Sequence, residues 1–138
     1  MTRSQGVVVA LSAAGVGISI YLTLLHYAGF APVCPATGAI NCEAVLASSY
    51  AVIFGTTIPT SAAGIVWFAV CALIAGWRAG PVHLLWAAVG LATMLYLVFV
   101  ELILVRAICL WCTAAHVLVV LIALIWVYAW SAREAAAR

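Results

Sequence analysis

"CLWCTAAHVLVVLIALIWVYAW", Cys109–Trp130, is the stretch whose reading decides the fold. From about residue 110 to 130 it holds no Asp, Glu, Lys or Arg, and a helix that crosses a bilayer needs roughly 20 mainly apolar residues. Yet it opens on two thiols two residues apart, which is redox or metal equipment. Working outward, three more apolar stretches of spanning length appear, at about residues 6–27, 60–77 and 81–105. With the four in place, the 138 residues leave room for one domain and one connection of real length, residues 28–59.

Composition agrees. The chain is 70 % hydrophobic and 6 % charged, with a mean hydropathy of +1.34, whereas soluble domains carry about 25 % charged residues. A soluble core of this size has no room for so much apolar surface, so most of the solvent is bilayer. The expected fold is all-α, a four-helix membrane bundle with an extracytoplasmic loop and a short horizontal helix after the first span. A cleaved signal peptide is the weaker reading of residues 6–27, because secretory cores usually span only about 7–15 residues. Val33 before Cys34 does not suit lipoprotein processing.

The chain contains no lysine, and its five arginines are Arg3, Arg78, Arg106, Arg133 and Arg138. With four spans, all but Arg106 fall on one side, and the excess of positive charge assigns that side to the cytoplasm. The loop with Cys34 and Cys42, and the turn with Cys109 and Cys112, then share the oxidising face of the plasma (inner) membrane.

Cys71, in "WFAVCALIAG", reads as a small buried apolar residue. Cys34 and Cys42, in "CPATGAINC", sit among turn formers and are either a permanent structural disulfide or a redox pair. Cys109 and Cys112 open a helix, where free backbone N–H groups and the helix dipole favour a thiolate, the form that attacks disulfides. Thr113 after Cys112 rules out a c-type haem site. A zinc site made of the four sulfurs has the right ligand number but suits an oxidising compartment poorly, and no metal is expected. Only about three residues separate the third apolar run from Cys109, which puts that dithiol at or just below the membrane boundary. A lipid-dissolved acceptor, a quinone, explains such a position; a water-soluble oxidant does not. The loop pair is then left to meet soluble proteins, with electrons passing between the pairs by disulfide exchange.

The order "CPATGAINC", "NCEAVLASSYAVIFG", "IPTSAAG" and "CLWCTAAH" resembles the vitamin K epoxide reductase family along nearly the whole chain. That resemblance implies a four-helix bundle around a quinone of the ubiquinone, menaquinone or vitamin K type. It implies that Cys112 meets the quinone, that Cys109 exchanges with the loop through Cys42, and that Cys34 oxidises a partner. His116 and Thr60 fall where animal members hydrogen-bond the quinone through a tyrosine and an asparagine, and Ser61 follows Thr60. Trp67 matches a ring-lining aromatic. Both departures point to a bacterial-type enzyme that supports disulfide formation in exported proteins. Many bacterial relatives carry a fused thioredoxin-like domain; "SAREAAAR" at the end of this chain carries none, so a separate DsbA-like thioredoxin-fold partner is implied. Rival readings are a quinone or epoxide reductase acting on vitamin K itself, and a non-catalytic membrane assembly factor or metal carrier. A DsbB-type oxidase fits less well, since its CxxC comes in the first loop.

Other residues carry weaker expectations. "CEAVLASSYAVIFG" suits a surface-lying helix over the quinone mouth, with Tyr50 and Phe54 on ring or lipid. His116 shares a helical face with Cys112 at i, i+4 and suits proton transfer. Glu101, near the end of the third run, is costly there unless paired or facing a cavity; pairing with Arg106 is the plainer role and proton delivery the sharper one. Glu43 raises the Cys42 thiol by like-charge repulsion. Ala10, Ala14, Gly15, Gly17 and Gly90 suit close helix packing.

Overall fold

A computed structural model describes residues 2–35 and 37–137. Arg138, one of the terminal arginines counted above, lies outside them. Four apolar helices and one short one make up the fold: α1 (Arg3–Ala28), α2 (Cys42–Leu46), α3 (Thr60–Ile74), α4 (Pro81–Phe99), and α5 (Leu110–Ala136). A π-helical turn, Val100–Val105, continues α4. Among the described residues the only β pairing is three isolated bridges.

Local chemistry sets the helix ends. Thr2 caps α1 by accepting from the Gln5 backbone N–H at 3.3 Å, while Gln5 Oε1 accepts from the Thr2 N–H at 2.7 Å, a reciprocal capping box. Gly29 ends α1 in the left-handed region, φ 69°, and the Phe30 N–H returns to the Leu25 carbonyl. At the far end of α3 the buried His83 joins two helices. Its Nδ1 accepts from Gly80 N–H at 3.3 Å, which leaves Nε2 to donate to the Ile74 carbonyl at 3.0 Å. One side chain thus satisfies orphan groups of both α3 and α4.

Three helices, residues 3–28, 81–105 and 110–136, are long and apolar enough to cross a membrane, and only 28 %, 17 % and 22 % of their most apolar windows is buried inside the fold. Leu24, Leu85, Leu95, Leu124 and Tyr128 stand exposed. Outward apolar surface on this scale requires an apolar solvent. The second apolar run is shorter than expected: α3 stops at Ile74, not residue 77. Its 15 residues span about 22 Å, against a hydrocarbon core of about 30 Å. The stop follows from the His83 bond to the Ile74 carbonyl and from Gly76, which favours leaving the helix.

The core lies where α1, α3, α4 and α5 meet, around Val8, Phe68, Cys71, Ile122 and Trp126; Cys71 is fully buried, as its apolar setting led one to expect. α1 buries the stripe Val8, Ser12, Gly15, Ser19 and Leu22, spaced four or three residues apart as one helix face demands. A Cβ at Gly15 would collide with the Phe68 ring, and one at Gly64 with the Ser19 hydroxyl, so small residues let α1 and α3 approach closely. Ala10, Ala14 and Gly17 do not share this role; they lie off the stripe and are exposed. Gly90 does, because the Trp67 indole occupies the space of its missing Cβ.

Trp67 and Trp86 exchange hydrogen bonds, each indole N–H donating to the other's carbonyl at 3.1 and 3.3 Å. This pair ties α3 to α4 in an apolar region where few other polar partners exist. Replacing Gly90 with valine therefore displaces a locked ring. We expect about 2–4 kcal/mol of lost stability, from overpacking and the loosened tryptophan pair, measurable as a lower unfolding midpoint in detergent.

The surface helix is also shorter than expected. α2 covers five residues, capped by Asn41 Oδ1 accepting from Ala44 N–H at 3.0 Å. Ser48 Oγ donates to the Val45 carbonyl at 2.7 Å, a local bond that competes with helix continuation. Beyond it the chain turns at Gly55, φ 69°, and returns through the Val52–Pro59 bridge. At the opposite end of the bundle from Arg106, Arg78 and Arg133 line a groove with Thr2, Ser4 and Gln5.

Candidate functional site

The site is built from the turn between α4 and α5. Arg106 adopts the left-handed region, φ 57°, and the Ala107 N–H closes back on the Glu101 carbonyl at 3.0 Å. This reversal presents Ile108 edge-on to the long loop. The Asn41 N–H donates to the Ile108 carbonyl at 3.1 Å, and the Ile108 N–H to the Ala39 carbonyl at 2.9 Å. These two bonds lay Cys42 beside the first turn of α5, although 66 residues separate Cys42 and Cys109 in sequence.

The sulfurs occupy this junction. Cys34 and Cys42 form a disulfide with Cα atoms 6.2 Å apart, while Cys109 and Cys112 are free. The Leu110 backbone N–H donates to Cys42 Sγ at 3.3 Å, and the Cys112 N–H donates to Cys109 Sγ at the same distance. Both sulfurs therefore lie on the N-terminal end of α5, where orphan N–H groups favour negative charge. Cys42 and Cys109 are 1 % and 0 % exposed and belong to one apolar cluster. Cys34 is half-buried and is the more accessible sulfur of its pair. The Cys109 thiol is held below its ordinary value, first by the hydrogen bond from the Cys112 thiol and then by the Cys112 and Trp111 backbone N–H groups; burial and the Glu101 carboxylate oppose this. Glu43, expected to act on Cys42, is itself exposed.

Two cavities share Cys112 in their linings. The larger, about 410 Å³, lies between α1, α3, α4 and α5 and is lined by Cys112, His116, Thr60, Ser61, Trp67 and Trp86 among others. Val66 and Val89, both largely exposed, stand at its rim, so it opens sideways from the bundle. The smaller, about 60 Å³, reaches towards the loop between Tyr50, His26, Glu101, Cys112 and His116. Phe54 joins neither; it is 82 % exposed and lies 6.3 Å, centre to centre, from the Tyr96 ring. The turn at Gly55 sets it against α4, outside both cavities.

Polar groups in the larger cavity divide by availability. The Thr60 hydroxyl donates to the Ala51 carbonyl at 3.2 Å. Thr23 donates to the Ser19 carbonyl, which leaves the Ser61 hydroxyl as donor to Thr23 at 2.9 Å. His116, half-buried, has no hydrogen-bond partner among the described residues. A planar apolar ring with two carbonyl oxygens suits this space: the walls are aromatic and aliphatic, the volume is in the usual ligand range, and the free polar groups gather at the Cys112 end.

The sequence matches the vitamin K epoxide reductase family over residues 7–128. The chain belongs to that family. Among curated proteins, none matches it. As a member of the vitamin K epoxide reductase family with three long apolar helices, it is a multi-pass membrane thiol–disulfide oxidoreductase, of a family that generally uses a quinone or vitamin K as electron acceptor.

Three residues at the site were not singled out from sequence. Tyr21 and Trp111 pack at a tilt with ring centres 5.0 Å apart, and both bind Val33: the tyrosine hydroxyl accepts its N–H, and the indole donates to its carbonyl. They hold the chain just before Cys34. The signal available was Trp111 itself, placed between the two cysteines. The third is His26, whose position on the smaller cavity has no local signature. Glu101 accepts the Cys109 N–H on Oε2 at 3.4 Å, and the expected pairing with Arg106, which is exposed, is not made among the described residues.

Proposed function

We propose that this chain is a four-span enzyme of the bacterial plasma (inner) membrane, with both termini cytoplasmic, that carries electrons from an exported thioredoxin-fold dithiol to a membrane quinone. The short α3 serves as the second span, its length made up by the polar turns at either end. The arginine groove at one end of the bundle and the lone Arg106 at the other support the cytoplasmic assignment.

A DsbA-like partner acting in trans attacks the accessible Cys34. A mixed disulfide forms and is resolved, the partner leaves oxidised, and Cys34 and Cys42 are left as thiols. Cys42 then attacks Cys109 of the inner disulfide, Cys112 leaves as thiolate, and Cys34 displaces Cys109 to restore the loop disulfide. The inner pair now holds two electrons, the arrangement of bonds seen here. When bound, the quinone accepts two electrons and two protons. Cys112 would meet it at the cavity wall, His116 would hold it by a hydrogen bond and Trp67 would flank its ring, with Thr60 and Ser61 lining both cavities and Tyr50 the smaller one. Cys109 closes the disulfide on Cys112 as the electrons depart.

The observation that carries this reading is the meeting of Cys42 Sγ with the first turn of α5, 3.3 Å from the Leu110 nitrogen, at the helix end that Cys109 caps. The test mixes purified protein in detergent, a reduced thioredoxin-fold partner, and ubiquinone, menaquinone or vitamin K quinone in turn, and follows quinol and partner disulfide together. Stoichiometric appearance of both is expected. Oxidation of the partner without quinol, or reduction of an epoxide in preference to every quinone, would overturn it.

A further inference from the structure

Of the three acidic residues, Glu43 and Glu134 are exposed and Glu101 is 6 % exposed. Its carboxylate accepts the Cys109 N–H and borders the smaller cavity with Cys112 and His116. The π-helical turn puts it there, and such turns recur at functional positions. The titratable groups around it are His26 from α1, Tyr50 from the long loop, and Cys109, Cys112 and His116 from the α5 side. α2 contributes Cys42, closed in its disulfide, and exposed Glu43; α3 contributes only hydroxyls; Arg106, on its own turn, is exposed. Among the described residues no arginine pairs with Glu101.

A thiolate at Cys109 beside an ionised Glu101 would put two like charges in one water-poor pocket, an arrangement that resists full ionisation. One proton shared between them removes the conflict. We propose that Glu101 is the proton store of the inner dithiol: it takes the proton that Cys109 releases on becoming a thiolate and gives it up when the Cys109–Cys112 bond closes. This rests on the quinone reading above. In oxidation of the dithiol, one S–S bond forms and two electrons leave for the quinone. Two protons accompany them, one from the Cys112 thiol and one from Glu101, which is left as a carboxylate. Reduction of the inner disulfide through the loop pair brings two protons back from the partner dithiol, and Glu101 is recharged. Glu101 acts through the sulfurs and is a positioning and proton-holding residue.

The test compares the full-length protein with Glu101→Gln and Glu101→Asp. Infrared difference spectra between dithiothreitol-reduced and oxidised protein, without quinone, are expected to show a protonated-carboxyl band in the dithiol state that vanishes in the disulfide state and is missing from Glu101→Gln. With dithiothreitol as donor and quinone as acceptor, Glu101→Gln is expected to turn over about 10²-fold more slowly, as for loss of a positioned acid–base group, and Glu101→Asp to regain at least about tenfold of that. The pH profile separates chemistry from structure. Wild-type turnover should fall as pH rises and the shared proton is lost, whereas Glu101→Gln turnover should rise with pH, because Cys109 must then release its proton to bulk solvent. A carboxyl band insensitive to redox state, or a Glu101→Gln profile parallel to wild type, would overturn the proposal. If the band follows the dithiol but wild type reduces no quinone, the quinone reading fails and the proton store stands.

Discussion

Cys112→Ala is expected to abolish quinone reduction, by about 10³-fold or more, because no other thiol lines the 410 Å³ cavity. The variant should also accumulate a Cys42–Cys109 disulfide. Cys109 attacks Cys42 of the loop disulfide, one S–S bond forms as another breaks, and Cys34 is released as a thiolate. In wild type Cys112 resolves the mixed disulfide by attacking Cys109, which closes Cys109–Cys112 and releases Cys42 as a thiolate; without Cys112 only Cys34 can undo the exchange. A maleimide should make the exchange irreversible, because the released Cys34 is accessible while Cys109 is fully buried. Peptide mapping would then find Cys34 alkylated and Cys42 bonded to Cys109. If Cys109 is alkylated instead and no cross-link forms under any condition, the two pairs do not communicate.

This expectation depends on a contact that leaves little trace in sequence. The apolar runs were legible because a bilayer imposes a length and a composition on every span, and the observed α1, α4 with its π turn, and α5 all cover the expected runs. The Cys34–Cys42 pair was equally legible from proximity in sequence. What joins the pairs was not. The Ile40–Ile108 bridge is two backbone hydrogen bonds, and backbone bonds ask nothing of side-chain identity. Glu101 stood out in the sequence as a buried charge, but its contact with Cys109 was hidden for a related reason: a π turn widens the helix locally and redirects its side chains, so counting along an ideal helix aims it wrongly. Phe54 and Tyr50 are four residues apart, one face of a helix had the helix continued, but Ser48 ends it and only Tyr50 reaches a cavity. The end of α3 was misjudged because its last carbonyl is satisfied from α4 by His83, a long-range bond that no local pattern encodes.

Cys34→Ala should divide the reaction in two. Partner-driven turnover is expected to fall by about 10³-fold or more, since the accessible sulfur that receives the partner's attack is gone and Cys42 is buried. Quinone reduction driven by dithiothreitol is expected to stay within about threefold of wild type, because a small dithiol can enter the lateral cavity where Cys112 is exposed to it, bypassing the loop. The loop should remain in place without its disulfide: the Ile108 bridge, the Asn41 cap and the Tyr21–Trp111 clamp on Val33 are all independent of Cys34. The comparison therefore distinguishes a relay from a structural staple. A staple would lose both activities together as the loop detaches from α5; a relay loses the first alone. Measuring both rates on one preparation, with unfolding midpoints alongside, decides between them, and parallel loss of the two rates would return Cys34–Cys42 to a purely structural role.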